Sequence, residues 1–169
     1  MTNLLITIAV AFAAIVGGVA LRERPVDRPA NKNATSTSVA DGAYRHAQVS
    51  IGGETFDALV ADTDALRDLG LGGRKGLDHD KAMLFIFDTP DYLGFWMKDM
   101  LFSIDMLWLD ADMRVVSLEE DVSPKTYPKA FFPEKPARYV VEFSAGTLDA
   151  LHVNVGDRAS LRLDALGGK

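Results

Sequence analysis

The sequence predicts an α+β domain dominated by β structure, a small antiparallel sheet curled toward a barrel with two short helices, preceded by one N-terminal transmembrane helix. Three observations carry that expectation. Short apolar runs of strand length recur along residues 45–165, several of them joined by hairpin-type turns. Only two stretches carry helical spacing with an end signal, one after Thr63 and one at Thr147. Residues 4–21 are apolar or small at every position but Thr7, a run at the lower edge of bilayer-spanning length.

Taken in order, residues 1–21 read as a transmembrane anchor or uncleaved signal, because Met1, Thr2 and Asn3 lack the basic side chains that usually precede a cleaved apolar stretch. Residues 22–44 read as a flexible linker: Pro25, Pro29, Gly42 and a polar run from Asn33 onward leave almost nothing large and apolar to bury. The globular domain spans 45–165. It opens with a hairpin, in which Ala47, Val49 and Ile51 alternate with polar neighbours, Gly52 and Gly53 turn, and residues 55–60 return. Thr63 caps a short helix ended by Gly70, and Gly72, Gly73 and Gly76 form a loop. Residues 83–87 and 93–97 are apolar runs that read as core strands. Residues 104–109 and 115–118 flank Asp110 to Met113 as a second hairpin. Residues 123–136, with four prolines and the pair Phe131 and Phe132, read as a loop packed on the body. Residues 139–143 are a strand, Thr147 caps a second short helix, and Gly156 with Asp157 turns the chain into a last strand at 159–163.

Composition narrows the function. The chain carries a net charge of −6, and from Arg45 onward there are 14 basic and 21 acidic residues. Scattered basic residues in an acidic domain do not make the clustered cationic face that phosphate backbones require, so nucleic acid is not an expected partner. There are no cysteines, which removes disulfides, thiolate metal sites and cysteine nucleophiles. Neither a Gly-x-Ser-x-Gly elbow, a His-Glu-x-x-His helix nor a phosphate-cradling glycine loop occurs. Asp78, His79 and Asp80 offer metal-ligating groups, but His46 and His152 stand at no recognisable spacing from them, so no metal and no cofactor are expected.

The segment Gly94-Phe95-Trp96-Met97-Lys98-Asp99-Met100, followed by Ile104-Asp105 and Leu109-Asp110-Ala111-Asp112, resembles the domain of unknown function 192 family. The likeness extends through Gly70 to Arg74, Met83 to Phe87, Pro136 to Glu142, Ala145 to Thr147 and Val155 to Asp157. The resemblance implies a compact, mainly β domain, commonly exported or membrane-tethered, with no established activity. This chain departs from the family pattern, which usually has Asn-Thr where Asp99 and Met100 stand, Met in place of Gly72 and Gly in place of Met113.

Alternation on a strand would put Trp96 and Lys98 on one face. Lys98 could then pair with Asp105 at a cleft mouth, with Trp96 as an apolar wall, Asp99 beside them, and Arg74 or Arg138 as a second cation for an anionic or sugar ligand. The alternative is an ion pair that closes one end of the barrel, with Trp96 in the core. Arg138 and Glu142 face one side of their strand, which reads as a solvated face. These residues suggest a membrane-anchored envelope domain that binds a small molecule or glycan without catalysis. Two other readings stand beside it: an enzyme using Asp99 or Asp105 as base beside Lys98, and a protein–protein adaptor with a contact patch at Phe131 and Phe132. The expected partners are the membrane, through residues 4–21, and an envelope protein. Arg22, Arg24, Arg28 and Lys32 would hold the domain on the cytoplasmic side by the positive-inside rule, whereas the resemblance implies export. The expectation carried forward is a single-pass protein of the cell membrane with its domain outside the cytoplasm.

Overall fold

The computed structural model describes residues 44–164, within the unit Thr35–Lys169. The expected anchor at residues 1–21 and the linker up to residue 43 lie outside the described residues. Among the described residues no helix is long and apolar enough to cross a membrane.

The first hairpin forms as its alternation requires. β1 (Arg45–Ile51) pairs antiparallel with β2 (Glu54–Ala61), and Gly52 and Gly53 take the positive φ values of 59° and 88° that a tight two-residue turn demands. α1 (Asp64–Leu69) follows, with the Thr63 hydroxyl accepting from the Leu66 amide and Gly70 at its end at φ 50°. Then come β3 (Lys81–Asp91), β4 (Phe95–Trp96), β5 (Ile104–Leu109) and β6 (Val115–Val122). A single 3-10 turn at Pro124–Thr126 leads to β7 (Ala130–Phe131), β8 (Ala137–Ser144), α2 (Thr147–Ala150) and β9 (Ser160–Leu163).

Seven strands make one sheet in the order β6-β5-β8-β3-β2-β1-β9, and β4 pairs with β7 in a separate two-stranded sheet. Two expectations are corrected here. The sheet is mixed, because β2 and β3 run parallel. The chain between them, with α1 and the glycine loop, is a crossover of the length parallel strands need rather than a hairpin. Nor does the sheet close into a barrel. Its outer strands, β6 and β9, meet only where they begin, through an antiparallel bridge between Arg114 and Arg158 and the backbone bonds around it, Val115 N–H to the Asp157 carbonyl, Gly156 N–H to the Val115 carbonyl and Ala159 N–H to the Met113 carbonyl, each 2.9 Å. The four residues of β9 are committed to β1 instead.

Apolar side chains fill both faces of the sheet. One layer joins Val49, Phe56, Leu84, Leu107, Val141 and Phe143 to Leu148 of α2. The other joins Met83, Phe85, Met106, Trp108 and Val140 to Leu71, Met97, Met100 and Phe131 from the covering loops. β5 is therefore buried at all six positions, as expected of a strand with neighbours on both sides and cover on both faces.

Three local expectations also change. Residues 93–97 are not a core strand, since only Phe95 and Trp96 pair, and they pair with Phe131 and Ala130 outside the main sheet. The 123–136 loop does pack on the body, and contributes that partner strand. Thr147 does not cap α2: Gly146 occupies the cap position with a left-handed φ of 83°, and the Thr147 hydroxyl donates to the Ser144 carbonyl.

A candidate aromatic surface and its charged surroundings

The two-stranded sheet presents one side to the body and one to solvent. Phe95 and Phe131 face inward, where Phe95 meets Phe85 and Trp108 edge-on at centroid distances of 4.8 and 6.1 Å. Pairing Phe95 with Phe131 and Trp96 with Ala130 sets Gly94 opposite Phe132. Each outward aromatic thus crosses a residue with little or no side chain. The Phe132 ring lies where a side chain on Gly94 would begin, with Cε1 only 2.5 Å from that Cβ position. Trp96 is 54% exposed, Phe132 60% and Tyr127 46%, and the Trp96 and Tyr127 rings meet edge-on at 6.1 Å.

Cations flank these rings along the chain. Lys98 is exposed just beyond Trp96, and residues 123–136 carry exposed Lys125, Lys129 and Lys135 against the single acid Glu134. The Lys129 ammonium sits 4.2 Å from the Phe131 ring centroid. This is a local positive excess in a domain whose overall balance is acidic.

The residues singled out from sequence divide into four places. Lys98 and Asp99 form an exposed turn just after Trp96 of β4, in which Asp99 takes a φ of 59° and its carbonyl accepts from the Gly73 amide at 2.9 Å. Asp105 is not at a cleft mouth. It is 0% exposed, and its carboxylate accepts from the backbone amides of Asp121, Gly146 and Leu148 at 2.8, 3.2 and 2.9 Å. It has no hydrogen bond or ion pair with Lys98. Arg74 lies over the Tyr44 ring at 5.8 Å. Arg138 donates through Nε to the Phe87 carbonyl at 3.3 Å and lies over Tyr139 at 5.4 Å.

The expected solvated face at Glu142 is also corrected. Glu142 is 5% exposed, and its Oε2 is buried without a hydrogen-bond partner. Desolvation pushes its carboxyl up from 4.5 to about 8. Its burial comes from position in the fold: β8 is an interior strand between β3 and β5, and apolar layers cover both faces of the sheet there.

A match to the family model of DUF192, described as uncharacterized ACR, covers residues 47–161. The chain belongs to the DUF192 family. A UPF0127 protein of Thermococcus kodakarensis is 32% identical over 101 residues, covering 60% of this chain and 62% of that protein. One from Pyrococcus furiosus is 35% identical over 108 residues, covering 61% and 84%. The chain thus spans somewhat less than two thirds of the length of the first of these relatives. Among solved structures, a protein of unknown function from Novosphingobium aromaticivorans matches with a TM-score of 0.63 and 25% identity, over 68% of this chain and 83% of its own. A proposed transcription regulator from Sinorhizobium meliloti matches with a TM-score of 0.63 and 28% identity, over 69% and 94%.

Two clefts of this DUF192 domain lie among the described residues away from Trp96, Tyr127 and Phe132. One, of about 690 Å³, is edged by Glu120, Glu134, Asp149 and His152; the other, of about 480 Å³, by Glu54, His79, Asp80 and Thr147 over Phe56 and Leu151. Asp57 lies on the sheet surface, where burial raises its carboxyl but hydrogen bonds and charge from Lys81 at 3.1 Å and His46 at 3.2 Å prevail and hold it below its usual value. Sequence reasoning missed this trio because its members come from three strands. Among the described residues no group of three or more His, Asp or Glu converges as a metal site.

Proposed function

We propose that this DUF192 domain is a non-enzymatic envelope module that binds an anionic saccharide across Trp96, Tyr127 and Phe132, and that residues 4–21 tether it to the cell membrane. The observation that carries the reading is the exposed two-stranded sheet on which Trp96 and Phe132 cross Ala130 and Gly94. Opposing each ring with a small residue keeps the rings outward while Phe95 and Phe131 anchor the sheet. The apolar face of a sugar ring stacks on such a surface, and the lysines at 98, 125, 129 and 135 supply charge for carboxylate or phosphate substituents. Catalysis fits less well, because Asp105 is occupied by three backbone amides and Asp99 stands on an open turn with no enclosing cleft.

The test is a titration of the full-length protein with uronic-acid oligosaccharides and with neutral oligosaccharides of equal length. Trp96 is the exposed tryptophan and Trp108 is buried, so a fluorescence change reports on the surface directly. Binding of the anionic series that weakens about tenfold or more in Trp96→Ala would support the reading. Equal or absent binding of both series would sink it, and capture of a protein partner by the same surface would point to the adaptor reading instead.

A further inference from the structure

Glu142 is an acid that neither the fold nor the saccharide surface uses. In the ladder it stands opposite Met83 of β3 on one side and Met106 of β5 on the other. Residues paired across adjacent strands project to the same face with Cβ atoms about 4.5–5.5 Å apart, so the three side chains form one row: thioether, carboxylate, thioether. Both methionines are 0% exposed. Met97 and Met100 enter the same buried cluster from the turn above it, which is closed by the Met100 amide on the Met97 carbonyl. Four of the chain's six methionines are thus gathered in one layer. The carboxylate oxygen that has no partner belongs to Glu142.

Leaving a buried polar atom unpaired destabilises a fold, and such an atom in a native core calls for an explanation. Filling gaps would account for methionines alone, since the thioether adapts to irregular spaces. It does not account for a carboxyl placed between two of them. A cation would complete that row, and its chemistry is constrained. Thioether sulfur is a soft donor that selects Cu(I) over harder cations, and with no cysteine in the chain it is the only soft donor available. The row continues past Met106 to Glu119 of β6, which is only half-buried, so Glu142 is its one buried carboxylate; it balances one positive charge, whereas a divalent ion would leave a buried excess. We infer that Met83, Glu142 and Met106 form a binding site for a soft monovalent cation, Cu(I) or its redox-inert counterpart Ag(I), with Met97 and Met100 as the covering thioethers. This inference is independent of the saccharide reading and concerns the opposite side of the covering turn from the solvent.

The experiment offers the full-length, metal-free protein a coloured Cu(I)–bicinchoninate complex and measures how much copper it withdraws, then repeats the titration with Ag(I) on protein carrying ¹³C-methyl methionine. The wild type should withdraw one equivalent, and Ag(I) should shift the methyl resonances of Met83 and Met106 while leaving Met113 in place. Met83→Leu and Met106→Leu keep the core volume and should each weaken binding about tenfold or more. Glu142→Gln should weaken it as well, and Trp96→Ala should leave it unchanged. A wild type that withdraws no copper, Ag(I) shifts confined to Met1 or Met113, or leucine variants that bind as the wild type does would each overturn the inference. The methyl shifts decide the matter even if one variant folds poorly.

Discussion

Asp105 and Glu142 are two buried acids with opposite circumstances. Asp105 ties the start of β5 to the chain near Asp121 and to the first turn of α2, doing for that helix what a capping side chain does, from a distant strand. Replacing it with alanine leaves three amides without their acceptor, and Asp105→Ala should lower stability by about 3–5 kcal/mol, measured by urea unfolding of the folded domain. Sequence placed an aspartate correctly at the head of a strand but paired it with Lys98, because its true partners at Gly146 and Leu148 lie some forty residues on and offer only backbone. Glu142 lacks any such partner. Below its ordinary value of 4.5 it is protonated whether the metal-free chain is folded or not; between 4.5 and about 8 the folded state must still hold the proton that the unfolded chain releases. Stability should therefore fall with rising pH by about 1.4 kcal/mol per unit across that window and level off above it. Glu142→Gln, which has no charge to bury, should lose this slope: a pH series of unfolding midpoints should show near-equal stability at the acid end and a clear advantage for glutamine at the alkaline end.

Elements that depend on near neighbours were legible in advance. The β1–β2 hairpin followed from alternation and paired glycines, and α1 from Thr63 and Gly70. The β4–β7 pair was not, because an apolar run beginning after Pro90 has the same pattern whether it joins the main sheet or a strand from a loop 35 residues later. The parallel placement of β2 beside β3 was hidden for the same reason, since a crossover and a hairpin are distinguished by where the chain returns. At this scale the tight spot is Gly94. A β-branched side chain there would meet the Phe132 ring, so Gly94→Val should displace that ring, destabilise the protein by about 1–3 kcal/mol and abolish saccharide binding, while Gly76→Ala, at an open position, should leave both stability and binding intact. Parallel thermal melts and titrations would separate the two variants.

Across the whole molecule, two apolar layers on one mixed sheet account for a stable fold without disulfides, which is what composition led one to expect. Mainly β character, two short helices and the family were readable from sequence, whereas closure was not: the sheet's outer strands touch only where they begin, around Arg114 and Arg158, and then diverge. With two apolar layers packed on one sheet within residues 44–164, the chain lacking residues 1–43 should be a soluble monomer that unfolds in one cooperative step, checked by sedimentation and by coincident fluorescence and circular dichroism transitions. An insoluble or non-cooperative product would mean that the N-terminal segment belongs to the fold. The pairing of β1 with β9 has a consequence of another kind. Ala47 lies opposite Leu163, so the strand that begins the domain and the strand that ends it run side by side in opposite directions, and the chain arrives and departs at a single point on the sheet. A domain whose two ends adjoin behaves as a cassette: it can be spliced into a surface loop of a host protein without prying that loop apart.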